Sequence, residues 1–165
     1  MGHDNSSTLS KSIRQNVDEM KKICGTLSEE KASRAPEGRW SPKQILSHLC
    51  GPEGSRLTDA IHKVLEQETP RIDIDTGNPF FSVRRSQMST ADLLSALEQR
   101  YNQAADLIEG LSETQLARRA YVPAFKQAPM GEYLTLAELI DIVGVKHPES
   151  HIVHMREILK ELGTA

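Results

Sequence analysis

Leu136-Ala137-Glu138-Leu139-Ile140-Asp141-Ile142-Val143-Gly144-Val145-Lys146-His147-Pro148-Glu149-Ser150-His151-Ile152-Val153-His154-Met155 reads as one amphipathic helix. Its apolar stripe steps through Leu136, Ile140 and Val143, then His147 and His151, then Met155, Ile158 and Leu162. Steps of three and four are the period of an α-helix, not of a strand. Thr135 stands before the stripe with Glu138 three residues on, a capping-box pattern, and Gly163 ends it. Two imidazoles thus occupy positions where the pattern calls for core residues. Side chains four apart on a helix stack within about 40° of each other, so both rings can reach one ion.

Three further segments upstream carry the same period, and none alternates like a strand. The first runs from about Thr8 to about Ser33 on Leu9, Ile13, Val17, Met20, Cys24 and Leu27, weakened at Gly25. Residues 1–7 are expected to be a disordered tail. The second starts at Ser41-Pro42, where serine can cap the free amides and proline has none to waste. Ile45, Leu46 and Leu49 begin its buried face; Leu57, Ile61, Val64 and Leu65 continue it. Gly51-Pro52 and Gly54 predict a kink or a short break between the two halves. The third opens at Ser89-Thr90, follows Leu93, Leu94, Leu97, Tyr101, Ala104, Ala105 and Ile108, and stops at Gly110. Residues from about 68 to 88 and from about 112 to 132 read as irregular connections; a loop as long as the first is often functional, and reads equally as a surface crossover between helices. Four amphipathic helices joined in this way predict an all-α, four-helix bundle forming a single domain over residues 1–165.

Composition narrows the function classes. With 38% apolar and 26% charged residues, the chain has the balance of a water-soluble domain. No apolar run reaches the roughly 18 residues a membrane span needs. Met1 to Ser10 hold no apolar signal core, so a cytoplasmic location is expected. Net charge is −3 without a basic block, which argues against nucleic acid as the main partner; a small-molecule substrate is expected instead. Cys24 and Cys50 match no metal or redox spacing and read as reduced core residues.

His48 lies three residues after Ile45 and beside Leu49, on the inward part of the second helix. A buried imidazole carries a donor and an acceptor that both need partners. A divalent cation held by His48, His147 and His151 would take one nitrogen of each and keep a position open, as catalytic zinc sites do. Spacing alone does not tie His48 to the other two. Pro148 cannot donate to Gly144, so the helix should be disturbed at the first of the pair. His154 reads as polar or supporting, His62 as exposed or partly buried, and His3 as part of the tail.

The stretch Gly38-Arg39-Trp40-Ser41-Pro42-Lys43-Gln44-Ile45-Leu46-Ser47-His48-Leu49 resembles the Trp-Ser…His-Leu signature of the DinB-like superfamily. His147-Pro148-Glu149-Ser150-His151 resembles that family's terminal His-x-x-x-His element, and the resemblance covers nearly the whole chain. It implies an up-down-down-up bundle of the DinB/YfiT-like type. It also implies a three-histidine site for zinc, nickel or a similar ion, with His48, His147 and His151 as ligands. Many relatives are homodimers. Some use low-molecular-weight thiols in transfer or isomerisation, and the YfiT-like branch is described as metal-dependent hydrolases. Pro148 and Gly144 depart from the commonest family sequence at that point.

Two functional classes follow, beside a third reading in which the chain is a plain bundle whose histidines pair with core carbonyls or carboxylates. One is a metal-dependent enzyme, either a hydrolase or a thiol-dependent transferase; Glu149, Glu53 and Asp141 are the candidate bases for hydrolysis, each equally readable as a solvated or capping charge. The other is a non-enzymatic bundle that binds a ligand or partner helix and keeps a structural or vestigial metal. Cys50 should point about 200° away from His48 and is a poor ligand. Arg84 and Arg85 could meet an anionic substrate or thiol cofactor, or lie solvated. Trp40 is expected to pack beneath the loop at the end of the bundle, with a loss of about 3–5 kcal/mol in Trp40→Ala.

Overall fold

The computed structural model describes residues 2–75 and 77–163, with side chains from residue 5 onward. The helices are α1 (Gly2–Cys24), α2 (Glu29–Ala32), α3 (Pro42–Cys50), α4 (Leu57–Glu66), α5 (Val83–Ser86), α6 (Thr90–Glu109), α7 (Glu113–Leu116), α8 (Leu136–Ile140) and α9 (His147–Glu161). A π-helical segment, Asp141–Lys146, joins the last two into one long rod.

Cross-helix bonds fix the directions. Ser10 donates to the Ala105 carbonyl (3.1 Å) and Lys21 pairs with Glu98 (2.7 Å), so α6 runs antiparallel to α1. Cys50 meets the Leu93 carbonyl and Arg100 meets Ser55, so the α3–α4 pair runs alongside α6 in the same direction. Asn16 reaches Val145 and Arg156 pairs with Glu19, so the final rod is parallel to α1. The bundle is therefore up-down-down-up. Its core holds Ile13, Met20, Ile45, Leu46, Leu93, Ile108, Leu136, Met155 and Ile158, all fully buried.

Local chemistry sets the boundaries. Ser41 and Gln44 form a reciprocal capping box at α3, and Thr135 and Glu138 form another at α8. Ser89 caps α6 and Gly110 closes it. The second helix is broken outright between Cys50 and Leu57, because Gly51 turns the backbone to φ 71°. Arg118 donates to the Val64 and Gln67 carbonyls and so covers the end of α4.

Three expectations are corrected. The first helix begins at Gly2, and Ser6 is only 1% exposed, so residues 5–7 are helical and not a tail, with Ser6 packed and Asn5 and Ser7 exposed; Met1 lies outside the described residues. That helix also ends at Cys24, with Gly25, and Glu29–Ala32 forms a separate turn capped by Ser28. Lastly, the 112–132 connection carries a strand. Arg119–Tyr121 (β1) pairs antiparallel with Tyr133–Thr135 (β2), Ala120 opposite Leu134. Three-residue strands are too short to display alternation, and this ladder exists because buried Ala120 and Leu134 need backbone partners away from water.

The disturbance expected from Pro148 is present, as the π turn just before it. Bonds reaching one residue further accommodate a proline that cannot donate, and Asn16 supplies a side-chain donor to the Val145 carbonyl (3.1 Å). Gly144 lies buried in this turn against Ile13; a Cβ would stand 3.2 Å from the Ile13 methyl. The absent side chain lets the rod approach α1 closely.

Candidate metal centre

The extra residue in the π turn re-phases the rod. Its buried positions run Leu136, Leu139, Ile140, Gly144, Val145, Pro148, Ile152, Met155 and Ile158, leaving His147 and His151 half-buried on the edge of that face toward α3. His48, at 3% exposure, is buried on the facing side of α3. The three rings form a near-equilateral triangle, with centroids 4.8, 4.7 and 4.6 Å apart. Their Nε2 atoms point inward: 2.9 Å from His48 to His147 and 3.1 Å from His147 to His151.

Protonation supports the same picture. The Nδ1 of His48 lies 2.7 Å from the Asn78 carbonyl, which can only accept, so Nδ1 carries the proton and Nε2 presents a lone pair. Nδ1 of His151 faces Nδ1 of His154 at 3.3 Å, which gives that ring a polar partner of the same kind. Burial, then the neighbouring His48 ring, pushes the pKa of His147 down to about 4. Burial, then His147 and His48, pushes that of His151 down to about 3. Both rings are neutral at pH 7 and available as ligands.

With Nε2 of His48 unprotonated, Nε2 of His147 can donate to it or accept from His151 but not both, so one of the two close contacts is left without a hydrogen bond. A shared cation satisfies both. Nitrogens about 2.05 Å from one ion stand roughly 2.9–3.4 Å apart for angles of roughly 90–109°. The two short separations fall in that window. His48, His147 and His151 form a group whose ligand atoms all lie within 4.8 Å of one another and could hold a metal ion.

The surround is aromatic. Trp40 stacks on His151 (6.4 Å, 10°) and touches His48 and His154. Phe80 stacks on His48 (6.2 Å, 5°) and sits at φ 51°, a conformation that costs a non-glycine residue about 1–3 kcal/mol. It is held there by Ser47 and Arg85, which donate to its carbonyl, and by its own N–H on the Asn78 side chain. A cavity of about 560 Å³ opens from His48 and His147 and is walled by Ile72, Ile74, Phe80, Phe125, Leu139, Ile142 and Val143. Both irregular connections therefore contribute to it.

A scan against family models matches DinB superfamily over residues 12–153. The chain belongs to the DinB superfamily. Among solved structures, this DinB protein is similar to YfiT from Bacillus subtilis, described as "a probable metal-dependent hydrolase with an unusual four-helix bundle topology". The TM-score is 0.78 at 19% identity, covering 97% of this chain and 89% of that one, a likeness of fold. A comparison with curated proteins finds no match.

Several candidates from the sequence lie elsewhere. Cys50 turns to the Leu93 carbonyl on α6, and burial raises its pKa to about 11. Glu149 is exposed, and Glu53 is taken by Ser82, Arg84 and Arg85. Among the described residues, no carboxylate bonds to the three imidazoles. Arg84 is exposed beside Glu53, and Arg85 is buried on backbone carbonyls, so neither is available to a substrate in the cavity. His62 is exposed. The residues the sequence reading misses are Asn78, Phe80 and Arg100. Arg100 had a signal, since it lies three residues after Leu97 and so flanks the apolar face of α6.

Trp40 is half-buried, not enclosed, so Trp40→Ala should cost about 2 kcal/mol, below the range expected for full core truncation. Denaturant unfolding measures this. A loss under about 1 kcal/mol would show the ring to be surface-bound, and one above about 4 would show it to be core.

Proposed function

We propose that this DinB protein is a metal-dependent enzyme that holds one divalent ion, zinc or nickel, on Nε2 of His48, His147 and His151. The observation that carries this reading is the convergence of three imidazoles, two of which, His48 and His147, line a largely apolar cavity. Such an ion supplies Lewis acidity, which makes water or a small thiol nucleophilic near neutral pH. The protein's own residues do the rest. Asn78 and His154 orient two of the rings, Trp40 and Phe80 shield them, and the cavity positions an apolar substrate.

The first reaction class is hydrolysis, as in the description of YfiT. The second, transfer to a low-molecular-weight thiol, is favoured by one feature: among the described residues no carboxylate bonds to the imidazoles, and a thiol needs less help than water to ionise. Metal analysis of protein purified without an affinity tag tests the common claim. About one equivalent is expected, and less than about a tenth would overturn it. Release of product from activated esters, with and without a small thiol, then separates the two classes.

A further inference from the structure

We infer that Arg100 is an anion-binding residue of the cavity, so that the substrate is an amphipathic anion with a carboxylate or similar oxyanion at one end of an apolar body. The inference rests on the metal reading above, since it places the reacting part of that body at the histidines.

Arg100 projects from α6 over Gly51, three residues beyond His48. A Cβ on Gly51 would lie 2.6 Å from Nη2 and 2.8 Å from Cζ, so the guanidinium is laid directly against this backbone. Only glycine permits both that approach and the φ of 71° there. Nη1 donates to the Ser55 carbonyl (3.0 Å) and, more weakly, to its hydroxyl. Among the described residues, Arg100 makes no other hydrogen bond and has no carboxylate within ion-pairing distance. Burial is the main cause holding its pKa below the ordinary value; Tyr101, Cys50 and Asp59 act in the opposite direction, and the Arg85 cation lowers it further.

Three carboxylates also line the cavity, and each has a hydrogen-bond or ion-pair partner close by in the sequence, although the Asp59 charge also acts on Arg100. Asp59 accepts from the Arg56 amide, Asp73 pairs with Arg71, and Asp75 accepts from the Gly77 amide. Arg100 is thus a partly desolvated cation with unused donors, facing a space walled by Ile72, Phe80, Phe125 and Ile142. A planar fork of donors fits a carboxylate with two parallel bonds. An apolar chain bearing that group would fill the cavity between Arg100 and the imidazoles.

The test is calorimetric binding of decanoate and of its neutral amide, decanamide, to the full chain, both zinc-loaded and metal-stripped. In metal-stripped wild type, decanoate should bind about 10- to 100-fold tighter than decanamide, the worth of a charged hydrogen-bonded pair. Arg100→Gln should bring the decanoate affinity down to that of decanamide, with a wild-type circular-dichroism spectrum reporting an intact bundle. Arg100→Lys, which keeps the charge without the fork, should restore part of it. Equal affinities for acid and amide in wild type, no measurable decanoate binding at millimolar concentration, or an unchanged preference in Arg100→Gln would each overturn the inference. Should Arg100→Gln fail to fold, an unchanged preference in Arg100→Lys does so instead. The two readings fail separately. A preference seen only with zinc and insensitive to Arg100 sinks this inference and leaves the metal site. An Arg100-dependent preference in a protein that takes up no metal does the reverse.

Discussion

Replacing His48 with alanine is expected to take the metal content of tag-free protein from about one equivalent to below about a tenth. The ring is the only ligand candidate on α3, and without it the ion would be left to two half-buried imidazoles on a single helix. The stability cost should be smaller in proportion, about 1–3 kcal/mol, because the principal new fault is the Asn78 carbonyl left without its donor. The cavity already reaches His48, so the deleted ring extends an existing space and opens no sealed void. His154→Ala is the matched control. It removes only the group facing Nδ1 of His151, so it should keep stoichiometric metal and weaken affinity by roughly 10- to 100-fold. Elemental analysis and competition with a chelator read both. Full metal in His48→Ala would mean that the ligand set is wrong.

The parts of this molecule that were legible in its sequence are those whose cause is local. Ser89 and Gly110 bound α6 because a serine hydroxyl and a terminal glycine act on the helix they adjoin. Ser41-Pro42, Thr135 with Glu138, and the break at Gly51 were visible for the same reason. The convergence of His48 on His147 and His151 was not, because ninety-nine residues separate His48 from His147 and only packing joins them. The family motif supplied what spacing could not. The π turn was half-visible. Pro148 announced a disturbance, but whether it would be a kink or a re-phased turn depended on Ile13 packing against Gly144 and on Asn16 reaching Val145, both on another helix. Arg84 and Arg85 show the limit most clearly. As neighbours in a loop they looked equivalent, and the fold makes one a solvent cation and the other a buried brace.

That brace carries the other large expected effect. Arg85 is 7% exposed, and its Nη1 lies within hydrogen-bonding distance of the Ser47 carbonyl (3.1 Å), the Gly51 carbonyl (2.5 Å) and the Phe80 carbonyl (3.3 Å). The first two belong to the last turn of α3 and the residue after it, where helix geometry leaves carbonyls without partners and where a cation is favoured. The third is the strained residue stacked on His48. One guanidinium therefore ties the 78–86 loop to the end of the helix that carries His48. Arg85→Leu fits an apolar volume but orphans those acceptors and releases Glu53, for an expected loss of about 3 kcal/mol in denaturant unfolding. Freeing Phe80 also frees Asn78, so the His48 ring loses the carbonyl that fixes its tautomer, and metal affinity should fall by roughly 10- to 100-fold although no ligand has been touched. Arg85→Lys keeps the charge and one donor direction and should recover part of both losses. A variant that is destabilised yet binds metal with wild-type affinity would show that the loop does not set the His48 ring. A variant unchanged in both would show that the brace carries no energy.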